Sequence, residues 1–239
     1  MGAISFSIDK ELLHFFRQRL QITTFVETGT YQGGSLAVAA ELFSECHSVE
    51  MSRELYEAAQ KQFAGRTSIR LYLGESATVL DAISGRFAER PVVFWLDAHW
   101  CAGENTAGQD SQSPLREELR AIGQLHPQSV VLIDDARLYL CPPPKPHRFT
   151  DWPDFHDIVI LLKSLCNHHR LMIFNDVILF YPESIQTDMA SFAHQRGVDW
   201  LTMVNNSRQF ELKHRHGPGF VRRTRNRFLH LLGLRKNRT

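Results

Sequence analysis

Glu27 and Glu50 each end a short apolar run, and glycines lie between them. The segment from Phe25 to Ser35 reads FVETGTYQGGS, and Glu50 follows Gly34 by sixteen residues within CHSVEMS. A strand that delivers a carboxylate and then glycines at the start of a helix is how open α/β sheets build a site for a nucleotide-type cofactor, with an acid on the next strand for the ribose hydroxyls. The spacing also selects among cofactors. A dinucleotide fingerprint needs glycine at its first, third and sixth positions; here Gly29 is followed by Thr30, Tyr31 and Gln32 before Gly33 and Gly34, and Tyr31 fills a place that must stay bare. Glu27 would repel a pyrophosphate and attract a cation such as a sulfonium or an α-amino group. These residues favour S-adenosylmethionine over NAD.

Three further acids close two later apolar runs: Asp97 in FWLDAHW, and Asp134 and Asp135 in VLIDDAR. Neighbouring strands of a parallel sheet end together, so the three carboxylates converge beside the cofactor. Crowded carboxylates take up protons unless a cation intervenes, and an all-oxygen ligand set suits Mg²⁺ better than zinc. Acids at strand ends also serve as helix caps and loop anchors, which is the alternative reading. A divalent ion holding a hydroxyl would lower its pKa and orient it for methyl transfer. His99, two residues past Asp97, titrates near neutral pH and is read either as the general base or as a further metal ligand.

Taken together, ETGTYQGGS, SVEMS, FWLDAHW and VLIDDAR resemble the class I S-adenosylmethionine-dependent methyltransferases over residues 22–182, in particular the metal-dependent O-methyltransferases of sugar and secondary-metabolite pathways. The resemblance implies an α/β fold: a Rossmann-like doubly wound sheet, mostly parallel, with an antiparallel C-terminal hairpin and strand order 3-2-1-4-5-7-6. It implies that Glu27, Gly29, Thr30, Tyr31, Gly33 and Ser35 cradle the methionine portion. Glu50 and Met51 then face the ribose side, Gly74, Glu75 and Ser76 the adenine edge, and Asp97 the reacting end. It further implies Mg²⁺ on Asp97, Asp134 and Asp135, with Asp97 and His99 as catalytic residues and a small-molecule, sugar or glycan hydroxyl as acceptor. The catechol-type members carry a lysine shortly after the first of these aspartates; Trp100 and Cys101 supply none here.

The elements that must position these residues are legible as patterns. Residues 7–20 form an amphipathic helix with Leu12, Leu13, Phe15, Phe16 and Leu20 on one face, and a first strand covers 23–26. Ser52 caps the next helix, and IRLYLGES, PVVFWLDAH and SVVLIDDA read as strands, the last two apolar enough to be buried on both faces. Ser113 and Pro114 read as cap and first residue of the helix LREELRAIGQL. RLMIFNDVILFYP reads as a hairpin about Asn175 and Asp176, with His168 and His169 solvated ahead of it. The glycine-rich loop CAGENTAGQDSQS and the segment PPPKPHRFTDW are expected over the mouth of the site, where Trp100 and Trp152 suit a sugar or polyol.

The 239 residues, 43% of them hydrophobic, suffice for one α/β domain with additions. The division is an N-terminal helix at 1–21, the methyltransferase-like domain at 22–182, an extension at 183–212 and a basic tail at 213–239. Four scattered cysteines without CxxC spacing, no bilayer-length apolar run and no secretory leader pattern point to a cytoplasmic protein. The net charge of +1 hides an asymmetry: from Lys213 onward there are nine Lys and Arg and no acid, leaving 18 basic against 26 acidic residues before it. Such a tail fits peripheral contact with an anionic membrane or an acidic partner, or a solubilising end. Nucleic acid ranks last, since no base-reading module is present. A homo-oligomer is compatible with the chain. Two rival readings remain beside the methyltransferase: another metal-dependent sugar-modifying chemistry on the same fold, and a non-catalytic adaptor acting through its tail.

Overall fold

The computed structural model of the chain describes residues 8–100, 111–202 and 205. The loop positions 101–110 and the basic tail 213–239 lie outside them. Seven strands make one sheet: β1 (Thr24–Thr28), β2 (Glu45–Glu50), β3 (Ile69–Leu73), β4 (Val92–Leu96), β5 (Val130–Ile133), β6 (His169–Phe174) and β7 (Val177–Pro182). Their order is β3-β2-β1-β4-β5-β7-β6. The first five are parallel to one another, and β7 runs antiparallel to both β5 and β6. This is the Rossmann-like methyltransferase arrangement expected from the sequence.

Helices alternate with the strands: α1 (Lys10–Leu20), α2 (Gly34–Leu42), α3 (Arg53–Gln62), α4 (Ser76–Ser84), α5 (Leu115–Ile122), α6 (Phe155–Leu165) and α7 (Gln186–Arg196). They cover both faces of the sheet, which is why β1, β4 and β5 are buried at every position. On one face Leu13 and Phe16 of α1, Leu36 of α2, Phe25 of β1 and Met189 of α7 share a core; on the other, Leu80 of α4, Leu119 of α5 and Ile158 and Leu162 of α6 share a second. Burying one such Leu or Phe side chain stabilises the fold by roughly 1.5–3 kcal/mol. Phe15 of α1 meets Phe192 of α7 at 4.8 Å between ring centroids, which fastens the two terminal helices together. From Arg196 onward the chain forms a separate unit, in which residues 200–202 are helical.

Local chemistry fixes most element ends. Asp9 accepts the Glu11 amide at 2.9 Å to cap α1, and Ser52 accepts the Leu55 amide at 3.5 Å to cap α3. Asn175 and Asp176 both take positive φ, the backbone a two-residue hairpin demands. Three expectations need correction. β1 runs to Thr28, so Glu27 lies inside the strand instead of beyond it. Ser113 does not cap α5: Pro114 occupies that position, and the Ser113 hydroxyl lies 3.4 Å from the Tyr139 hydroxyl. His169 belongs to β6 and is buried, with Nε2 2.8 Å from the Ser129 carbonyl oxygen.

The register carries this geometry to one edge of the sheet. Thr28 pairs with Val49 and Leu96, and Leu96 pairs with Ile133. The carboxyl ends of β1, β2, β4 and β5 therefore finish level. Strand order reverses between β1 and β4, the place where open α/β sheets leave a crevice for ligands.

Candidate functional site

The crevice begins with Glu27, whose side chain is 0% exposed. The Ser48 hydroxyl donates to its Oε1 at 2.6 Å, so the Thr30 hydroxyl, 2.5 Å from Ser48 Oγ, is left to donate to Ser48. Oε2 of Glu27 has no hydrogen-bond partner. Burial raises its pKa to about 8, against the lowering effect of the Ser48 hydrogen bond, and nearby Glu50 raises it further. A buried carboxylate with one oxygen unengaged fits a cationic ligand, as the α-amino group of S-adenosylmethionine requires.

Above Glu27 the backbone turns sharply. The amides of Gly29 and Thr30 both donate to the Val49 carbonyl, at 2.9 and 3.2 Å, which folds the end of β1 over β2. Gly29 has φ +81, and a Cβ there would overlap the Asp97 carbonyl oxygen. Glycine is thus required twice, by conformation and by space. Glu50 accepts the Tyr31 amide at 2.8 Å and the Ser52 amide at 2.8 Å, one on each oxygen. Each of those oxygens retains a second lone pair for a ribose hydroxyl. Met51, beside it, is 51% exposed and offers an apolar surface. Gly33, with φ +73, precedes α2, and Ser35 on that helix accepts the Ile8 amide at 3.3 Å. Gly74 donates to the Glu50 carbonyl at 3.0 Å, Glu75 is exposed, and Ser76 is buried at the start of α4. The residues assigned to the methionine, ribose and adenine ends therefore line up along β1, β2 and β3.

The second half of the crevice is acidic. His99 Nε2 lies 3.0 Å from Asp135 Oδ2, while Nδ1 lies 3.5 Å from Asp97 Oδ1 and makes no hydrogen bond. Burial lowers the His99 pKa to about 4, so the ring is neutral at neutral pH. Burial likewise raises Asp97 and Asp134, and the charge of Asp134 raises Asp97 further. Asp135 differs. Arg137 Nη1 donates to its Oδ1 at 2.6 Å and Nη2 to its Oδ2 at 3.0 Å, and Nη1 also contacts Asp176. Asp176 accepts the Arg137 amide at 2.8 Å as well. Among the described residues no group of three or more His, Cys, Asp or Glu side chains is arranged to hold a metal ion. The expected Mg²⁺ set of Asp97, Asp134 and Asp135 does not fit, because the Arg137 guanidinium, paired with both oxygens of Asp135, opposes a second cation there.

Several contributors escaped the sequence reading. Glu118, on the first turn of α5, is 2% exposed and hydrogen-bonds to Ser76 and Thr28, while its Oε1 has no partner. Burial raises its pKa to about 7. The signal was present, since position 118 falls on the buried stripe with Leu115, Leu119 and Ile122. Gln112 accepts the Arg148 amide at 2.6 Å and the Trp152 indole at 3.4 Å, and its carbonyl accepts the Trp100 amide at 2.7 Å. It ties the proline-rich segment to the end of β4. Trp152 is buried against His99, Tyr139 and His147, with ring centroids 5.3–5.6 Å apart. It therefore backs His99 and is not an open stacking surface; Trp100, partly exposed, stands edge-on to His147.

No protein-family model matches the chain, and no curated protein sequence matches it. Solved structures do. The O-methyltransferase TomG of Streptomyces achromogenes, involved in tomaymycin synthesis and solved with SAM, is 15% identical over 72% of this chain and 78% of its own, with a TM-score of 0.50. A protein of Streptococcus mutans described as a methyltransferase and solved with SAH is 10% identical over 72% of this chain and 96% of its own, also with a TM-score of 0.50. Strand order, the antiparallel β7 and these likenesses agree: the chain has the fold of the class I S-adenosylmethionine-dependent methyltransferases.

Proposed function

We propose that the protein is an S-adenosylmethionine-dependent O-methyltransferase acting on a hydroxyl of a small metabolite, sugar or glycan. The observation that carries the proposal is the buried Glu27 carboxylate with an unengaged oxygen, set under the Gly29 turn at the switch point of the sheet. When bound, the cofactor supplies an electrophilic methyl group on a sulfonium. Glu27 would hold its α-amino group, Glu50 its ribose hydroxyls, and Gly74, Glu75 and Ser76 would flank the adenine.

The chain's own chemistry is then to deprotonate and aim the acceptor. A neutral His99 that donates from Nε2 to Asp135 leaves the lone pair of Nδ1 to accept a hydroxyl proton. The imidazolium so formed lies against Asp135, whose carboxylate stabilises it. His99 would hold the proton taken from the acceptor hydroxyl, and the deprotonated oxygen would be the nucleophile toward the methyl group that the cofactor supplies. The aromatic rings of Trp152, Tyr139 and His147 exclude water behind the base.

Titration calorimetry with S-adenosylmethionine, followed by radiolabelled methyl transfer to a panel of sugars and phenols, tests the proposal. Binding weakened in Glu27→Gln and turnover lost in His99→Asn are expected. Absence of cofactor binding by the unaltered protein refutes it, and binding without transfer to any hydroxyl refutes the acceptor class.

A further inference from the structure

We propose that Arg137 is a resident cation of the acidic corner, its guanidinium joining Asp135 to Asp176 and so keeping a divalent ion off Asp135. Four aspartates end in this corner: Asp97 after β4, Asp134 and Asp135 after β5, and Asp176 in the turn between β6 and β7. All but Asp97 are nearly or fully buried, and their mutual repulsion calls for a positive charge. Arg137 supplies it with fixed geometry. Two of its nitrogens grip both oxygens of Asp135 in the forked pairing that guanidinium and carboxylate share, and one of them reaches Asp176 at the same time.

The backbone is shaped for this grip. Asp135 takes φ +56, a left-handed conformation rarely adopted by a side-chain-bearing residue, and the Ala136 amide donates to the Asp176 carbonyl at 2.7 Å. These contacts turn the chain so that Arg137, two residues on, folds back over the carboxylate it follows. A divalent ion on Asp135 would meet the positive charge of the guanidinium that already grips both its oxygens. Arg137 therefore disfavours a second cation there.

The inference concerns the occupant of the corner and does not depend on which reaction the site performs. It is tested by titrating the full-length protein with Mn²⁺ and following the free ion by electron paramagnetic resonance, with Asp135→Asn as the control that defines binding at this place. The unaltered protein is expected to show no Asp135-dependent uptake. Arg137→Ala and Arg137→Met, which vacate the carboxylates, are expected to gain roughly one sub-millimolar site per chain, lost again when Asp135→Asn is added. Two substitutions are used so that one survives if the other fails to fold, as judged by circular dichroism. Asp135-dependent Mn²⁺ uptake by the unaltered protein overturns the proposal. So does a failure of folded Arg137 variants to take up the ion, since the corner then needs no cation of either kind.

Discussion

Ser48, on β2, donates its hydroxyl to Glu27 of β1 across 2.6 Å, and this short contact decides which carboxylate oxygen is left for a ligand. The two residues are register partners on adjacent parallel strands. Pairing of the strands thus sets the direction in which Glu27 offers its second oxygen.

Proton release is expected to accompany binding of the proposed cofactor. With a pKa of about 8, Glu27 is mostly protonated at pH 7 in the empty protein, and an α-ammonium group favours its ionised form. Calorimetry in buffers of different ionisation heat is expected to show close to one proton released per cofactor at pH 7. Glu27→Gln is expected to abolish that release and to weaken binding by about ten- to a hundredfold, the value of a charge-assisted hydrogen bond.

The same shift sets the pH dependence of stability. The folded state keeps a proton on Glu27 up to about pH 8 that the unfolded chain loses near the model value of 4.5. Native protein therefore binds more protons across that window, and the stability of the empty protein falls as pH rises through it. Glu118, raised to about 7, adds to the slope. Urea unfolding from pH 4.5 to 8 is expected to show the decline, and Glu27→Gln is expected to make it shallower.

Gly29→Ala places a Cβ against the Asp97 carbonyl oxygen in a left-handed backbone. A loss of at least about 2 kcal/mol is expected from conformation and overlap together, read as a lowered urea midpoint, with cofactor binding lost in whatever protein folds.

His99→Asn is expected to lower kcat by about 10²–10⁴, the usual share of a general base. Cofactor affinity should stay within a factor of about 3, because Glu27 and Glu50 are untouched. A matched fall in both quantities would instead assign His99 a role in holding the corner together.

Glu118→Leu leaves Ser76 and Thr28 without their shared partner, although the apolar stripe of α5 tolerates the new side chain. Cofactor affinity is expected to fall by about five- to thirtyfold, equivalent to roughly 1–2 kcal/mol. Glu118→Gln, which keeps a hydrogen-bonding group at the same place, is expected to restore most of it.

Much of this arrangement was legible in the residues. Strand ends marked by Glu50, Asp97 and Asp134 fall at the sheet edge because apolar runs stop where the strands stop, although Glu27 lies one residue inside β1. The hairpin at Asn175 and Asp176 follows from residue types that tolerate positive φ. What the sequence hid is pairing at a distance. Nothing local tells that Ser48 will reach Glu27, or that Asp176 will meet Arg137 from 39 positions away. The metal expectation failed to fit for that reason: three acids were visible, but their fixed cation came from the residue type most often seen as a solvated surface charge. Glu118 went unnoticed among the first-turn acids of α5, although its place on the buried stripe marks it as an interior acid.

Contact between the Gly29 turn and the Asp97 backbone leaves no room for a side chain, and Thr28 is paired with Leu96 immediately below it. On the proposed reading, the turn that would hold the nucleoside and the strand end that carries Asp97 are pressed backbone to backbone at this point. Inhibitors that join a nucleoside to an acceptor mimic should therefore gain more from a stiff spacer than from a flexible tether.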